Sequence, residues 1–355
     1  MSKCGNGING TIGSTESIDI QKYLILKSRA ETICITMLFI ILAALCILEN
    51  TWVLSMIFTS THLRKKPSYL FIASLAMADL LASFIFSYSF LDFHVFHGAG
   101  TPPIFLFKLG GVTLCFTASL GSLLLTAFDR YICIHKPTAY KTIVTRKRAI
   151  LALVVMWIST IIISYLPLMG VNCCILVTTC SELFPLIDNK YLACWIVLIV
   201  ILLSAIIFTY AHVLWKAHFH AVYMQKHNSQ TLRNNTRVRL DITLAKTLAL
   251  VLLVLLVCWA PVLILMIHSL LFSLSERLKT VFAYCSTLCL LNSMINPLVY
   301  ALRSRELRRR LTRCLQRFKC LEKLSVNDLE MEAAEKDMGF DATCDDTVCD
   351  TELSI

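Results

Sequence analysis

Charge is what this chain has least of. Only 16% of its 355 residues are Asp, Glu, Lys or Arg, against about a quarter in soluble domains. With 57% hydrophobic residues and a mean hydropathy of +0.70, too little polar surface remains to coat a water-soluble protein of this length. The first thirty residues lack the short apolar block and small-residue cleavage site of a secretory signal, so the first apolar span is expected to direct its own insertion. No internal repeat of the transporter kind is visible. The net charge of +10 is not laid out along one amphipathic face, which argues against a nucleic-acid partner.

What is present is seven apolar spans, each near the roughly 20 residues that cross a hydrocarbon core about 30 Å thick. They run over about 33–58, 69–93, 104–134, 149–169, 191–215, 244–271 and 279–302. The predicted fold class is an all-α membrane protein, a seven-transmembrane helix bundle over 31–302 with a short amphipathic helix after it over 303–320. A polar tail over 1–30 and an acidic, disordered tail over 321–355 flank them. Most of the sixteen cysteines, such as Cys34, Cys46, Cys115, Cys258 and Cys289, fall inside the spans, where a thiol packs as a small hydrophobe.

Lysine and arginine collect in alternate loops: Arg64 to Lys66, the stretch from Lys136 to Arg148, the stretch from Lys216 to Arg239, and Arg303 to Arg310. The positive-inside rule then sets the amino terminus outside the cell and the carboxyl terminus in the cytoplasm of a multi-pass plasma-membrane protein. That topology exposes the Asn9 acceptor of Asn9-Gly10-Thr11 to glycosylation. It also puts Cys314 and Cys320 beside the inner leaflet as palmitoylation candidates. Leu307, Leu311, Leu315 and Phe318 make the apolar stripe of the amphipathic helix.

Polar groups inside a bilayer are costly and therefore informative. Asp79 sits mid-span, with Asn50, Ser119, Asn292 and Asn296 at similar depth. These groups make either a hydrated site for a small cation such as sodium or a structural hydrogen-bond knot. At the inner end of the third span stands Asp129-Arg130-Tyr131. Arg130 has Asp129 as an adjacent partner and Asp241, at the inner start of the sixth span, as a distant one. Pro261 and Pro297 interrupt the last two spans and are expected to bend them.

The triplet Asp129-Arg130-Tyr131, the block Cys258-Trp259-Ala260-Pro261, the block Asn296-Pro297-Leu298-Val299-Tyr300, and Asn50, Asp79 and Trp157 occur in fixed order in successive spans. Over about residues 30 to 318 the chain resembles a rhodopsin-like (class A) G-protein-coupled receptor. Within that family, Arg64-Lys65-Lys66-Pro67-Ser68-Tyr69-Leu70, Leu214-Trp215-Lys216-Ala217-His218 and Tyr300-Ala301-Leu302-Arg303-Ser304 are similar to the cannabinoid receptor subfamily. Two departures agree: Phe105 stands where the wider family carries a cysteine, and Leu202 where it carries a proline. Ser164 to Gly170 and Ser181 to Ile187 look like the type 2 branch, whereas Asp92 and Phe105 to Gly111 look more like type 1.

The resemblance implies several things. A disulfide joins Cys173 to Cys180 in the second outer loop, with Cys174 competing for the pairing. A ligand cavity is lined by Phe86, Phe90, Phe93, Phe116, Phe184, Trp195, Trp259, Val262, Met266 and Phe282, with Ser286, His94, Thr113 and Lys108 as its polar groups. Asp129, Arg130, Tyr131, Asp241, Pro261, Asn296, Pro297 and Tyr300 form the activation switch. Implied partners are a lipid agonist, a fatty-acid ethanolamide or acylglycerol, and a heterotrimeric G protein of the inhibitory Gi/o class, with arrestin and receptor kinases beside them. No cofactor and no enzymatic activity are expected. Val112 stands where amine receptors carry an aspartate and Leu290 where opsins carry the retinal lysine, which argues against both ligand classes. A transporter or channel would need a ladder of acids across the bilayer. An enzyme would need a convergent acid and histidine, whereas His212, His218 and His220 gather at an interface.

Overall fold

In a computed structural model, residues 28–96, 101–227 and 232–303 are described. The Asn9 sequon, Cys314, Cys320, the amphipathic helix and the acidic tail lie outside them. So do the side chains of Phe93, His94, Asp241 and Tyr300, although these four belong to helices. The described helices are α1 (Arg29–Thr59), α2 (Thr61–Lys65), α3 (Pro67–His94), α4 (Pro102–His135), α5 (Tyr140–Ile143), α6 (Arg146–Tyr165), α7 (Asn189–His227), α8 (Leu232–Leu271) and α9 (Glu276–Arg303). Seven of these are long and apolar enough to cross a membrane. The helical state follows from the solvent, because hydrocarbon offers no partner to backbone N–H and C=O groups and a helix satisfies them internally.

Local chemistry sets several ends. Pro67 opens α3 and Pro102 opens α4, at positions where a missing N–H costs nothing. The Thr145 hydroxyl accepts from the Arg148 N–H at the start of α6. The fourth span ends at Tyr165, short of the expected Met169, and residues 166–170 form turns. Pro167 cannot continue the helix, and the Asn172 amide donates to its carbonyl at 3.0 Å. Pro261 and Pro297 lie inside α8 and α9.

Helix α4 is the hub, packed against α3, α6 and α7, while α1 and α8 flank α9. Polar contacts pin these packings. The Trp157 indole N–H donates to Ser74 Oγ at 3.0 Å, and Ser74 and Ser122 share a hydrogen bond of 2.8 Å, joining α6, α3 and α4. The Asn50 amide donates to the carbonyls of Cys46 and Ser293, tying α1 to α9.

Candidate functional site

Near one end of the bundle a cavity of about 230 Å³ opens between α1, α3, α4, α6, α7, α8 and α9, roofed by the loop between α6 and α7. Its walls are apolar because each helix turns an aromatic or aliphatic residue inward. Phe90 stacks on Phe39 at 4.7 Å between ring centroids, Phe39 meets Phe86 at 4.9 Å, Phe86 meets Phe116 at 5.5 Å, and Phe116 meets Trp259 at 5.8 Å. Edge-to-face contacts of this kind are favourable beyond their burial, so α1, α3, α4 and α8 are joined by one aromatic row across the cavity wall. Every member of the expected lining whose side chain is described borders the cavity: Phe86, Phe90, Lys108, Thr113, Phe116, Phe184, Trp195, Trp259, Val262, Met266, Phe282 and Ser286.

The roof is built from the loop outward. Cys173 and Cys180 are bonded, and the sulfurs of Cys173, Cys174 and Cys180 lie within 4.8 Å of one another. Isolated bridges pair Asn172 with Ile187 and Cys180 with Asp188. The Ser181 hydroxyl accepts from the N–H groups of Leu183 and Phe184, and Leu186 is held at φ 68°, a strained angle for its side chain. The result turns Leu183, Phe184 and Ile187 into the cavity, where Phe184 meets Phe282 at 5.8 Å. Glu182 reaches the other way and accepts from the Leu274 N–H at 2.8 Å, which fastens this loop to the segment before α9.

The polar groups of the cavity are sparse. The hydroxyls of Thr113 and Ser286 each donate to a carbonyl one helical turn back, which leaves their oxygens able to accept from a ligand. Ser89 Oγ, Ser164 Oγ and the Trp259 indole N–H border the cavity as well, and among the described residues they have no hydrogen-bond partner. Sequence reasoning missed Ser89 and Ser164, which look like ordinary small residues of a span. It also missed Phe39 as a wall of the cavity, since nothing in the first span marks which face of it turns inward. Lys108 forms an ion pair with Asp92 at 2.5 Å, and both border the cavity.

Deeper in the bundle Asp79 is fully buried. Ser119 and Ser293 donate to its Oδ1 at 2.6 and 2.8 Å, and the Asn296 amide donates to its Oδ2 at 2.9 Å. The expected cluster thus gathers Asp79, Ser119 and Asn296 and adds Ser293. Asn292 is buried but is not among the groups bonded to Asp79. Asn50 bonds backbone carbonyls instead.

At the far end of α4, Arg130 pairs with Asp129 at 2.7 Å. The Asp129 carboxylate, itself buried, also accepts from Ser68 at 2.9 Å and from the Tyr140 hydroxyl at 2.6 Å. Burial, reinforced by the hydrogen bond to the Asp129 carboxylate, pushes the Tyr140 phenol up to about 12. Tyr131 stacks on His135 with centroids 4.0 Å apart. The expected bridge from Arg130 to Asp241 falls outside the described residues.

Comparison with known proteins matches residues 49–300 to the family described as 7 transmembrane receptor (rhodopsin family). The chain is 54% identical over 307 residues to cannabinoid receptor 2 of Mus musculus, covering 86% of this chain and 88% of that protein. It is 52% identical over 328 residues to cannabinoid receptor 2 of Homo sapiens, covering 92% and 89%. Cannabinoid receptor 1 of Xenopus laevis is 49% identical over 304 residues, covering 82% of this chain and 64% of that protein.

Proposed function

This chain belongs to the rhodopsin family of seven-transmembrane receptors and, within it, to the cannabinoid receptors; we propose that it binds fatty-acid ethanolamides or acylglycerols and signals through inhibitory Gi/o proteins. As a multi-pass receptor of the plasma membrane it has no enzymatic role. In this reading the Asn9 end and the loop carrying Cys180 face outward, and the Asp129 end faces the cytoplasm. The observation that carries the proposal is the cavity itself. Its walls are nearly all hydrocarbon and aromatic, its polar groups are mostly hydroxyls, and an acyl chain with a small polar head matches both.

Transmission starts where Phe116 meets Trp259. A ligand that parts these rings favours the state in which α8, interrupted by Pro261, swings its cytoplasmic end outward. Arg130 then leaves Asp129 and becomes available to the G protein. The ligand shifts this equilibrium only by the extent to which it binds the open state more tightly. The Asp79 cluster links α3, α4 and α9 and must rearrange in the same transition, whether it acts as a knot or also admits sodium.

The test is agonist-driven inhibition of cyclic AMP in cells expressing the chain, with a polyunsaturated fatty-acid ethanolamide as agonist. Arg130→Ala is expected to abolish inhibition while saturable binding persists. Ser286→Ala is expected to lower potency about tenfold, the size of one lost hydrogen bond in an apolar site. Normal signalling by Arg130→Ala would remove the role assigned to that residue, and absence of saturable binding to the unaltered chain would remove the ligand assignment.

A further inference from the structure

Resting on that reading of the cavity, we propose that Asp92 makes the receptor select uncharged lipid head groups over fatty-acid anions, by occupying the ammonium of Lys108. Lys108 and Asp92 come from α4 and α3 and both border the cavity. They form an ion pair, with the two side chains only 15% and 25% exposed, and the Lys108 ammonium also lies 5.1 Å from the centre of the Tyr88 ring. Lys108 is thus held on two sides.

A fatty acid and its ethanolamide carry the same tail, so the aromatic row of Phe39, Phe86 and Phe116 cannot distinguish them. Discrimination falls to the head. A lone ammonium in walls this apolar would favour a carboxylate above any other head group, because charge-assisted hydrogen bonds are strongest where water is scarce. With Asp92 in place the cation is already satisfied. An incoming carboxylate must break the pair and then face the Asp92 carboxylate it displaced, a repulsive element that works against one ligand class only. An amide or hydroxyl head needs no such exchange and donates to the oxygens of Thr113 or Ser286. Hydrolysis of an ethanolamide or acylglycerol yields the fatty-acid anion, so the same pair separates an agonist from its breakdown product.

The experiment uses membranes from cells expressing the full chain, at a pH where the free acid is ionised. A labelled polyunsaturated fatty-acid ethanolamide is displaced by the unlabelled ethanolamide and by the matching acid, and the ratio of the two affinities is read. In Asp92→Asn the acid is expected to gain about tenfold relative to the ethanolamide. In Lys108→Gln, which leaves Asp92 facing the cavity alone, the acid is expected to lose ground instead. The double variant, Asp92→Asn with Lys108→Gln, is expected to lose the gain of the first. Opposite shifts in the single variants do not arise from misfolding, which would weaken both ligands together. A ratio unmoved in both single variants overturns the proposal. Failure of the unaltered chain to bind the labelled ethanolamide defeats the preceding section instead. In that case a labelled acid still decides the selector: it is supported if the acid binds Asp92→Asn and not the unaltered chain, and overturned otherwise.

Discussion

Gly110 marks where α4 passes α6 so closely that a Cβ would lie 2.8 Å from the Tyr165 ring and 3.1 Å from the Ser164 carbonyl. Tyr165 closes that side of the bundle beside Ser164, which borders the cavity. Gly110→Val is therefore expected to destabilise the receptor by about 1–3 kcal/mol through overpacking, read as a lower midpoint of thermal unfolding in detergent. Tyr140 poses a titration question. The folded chain holds its proton more tightly than the unfolded chain, whose phenol has the ordinary value of 10.0. The stabilisation is therefore complete below pH about 10 and fades as the pH climbs toward 12. Tyr140→Phe is expected to cost about 1 kcal/mol at neutral pH and to remove that alkaline loss, measured as the difference in unfolding midpoint between the two chains across pH. Of this arrangement the sequence offers Asp129 and Arg130, which are adjacent. Ser68 is 61 residues from Asp129 and carries no mark of its own in the sequence.

Among the elements, the seven membrane-spanning helices were legible in the sequence, most of their ends to within a few residues, and the loops were not. Span length and composition answer to the bilayer, which imposes the same requirement on every crossing. The helices that continue past their apolar spans, as α7 does to His227 and α8 does from Leu232, do so through polar sequence that hydropathy cannot assign. The roof over the cavity depends on contacts between residues far apart, such as the Leu274 N–H on Glu182, 92 residues away. The bond from Cys173 to Cys180 ties the loop covalently, a pairing drawn from family resemblance and found in the structure. Cys180→Ser removes this bond. It is expected to weaken lipid binding about tenfold or more by releasing Phe184 and Ile187 from the cavity, measured as affinity by saturation binding on intact cells.

For the whole molecule the decisive group is Asp79, whose carboxylate is bonded to α4 through Ser119 and to α9 through Ser293 and Asn296. Asp79→Ala leaves three buried donors without their acceptor. It is expected to uncouple the two ends, so that a fatty-acid ethanolamide binds while its efficacy in the cyclic AMP assay falls. Full efficacy in that variant would show that the cluster only packs the bundle. By itself the sequence determined that the chain crosses a membrane seven times as helices, because a low-dielectric solvent leaves an apolar segment of that length no other way to satisfy its backbone. Ordered motifs in successive spans also carried the family. Tertiary structure alone decided which faces turn inward: Phe39 into the aromatic row, Ser89 and Ser164 onto the cavity, Ser293 onto Asp79, and Asp92 onto Lys108. When every side of a helix is apolar, hydropathy does not separate the side that meets lipid from the side that meets protein, and only the packing of neighbouring helices fixes the rotation.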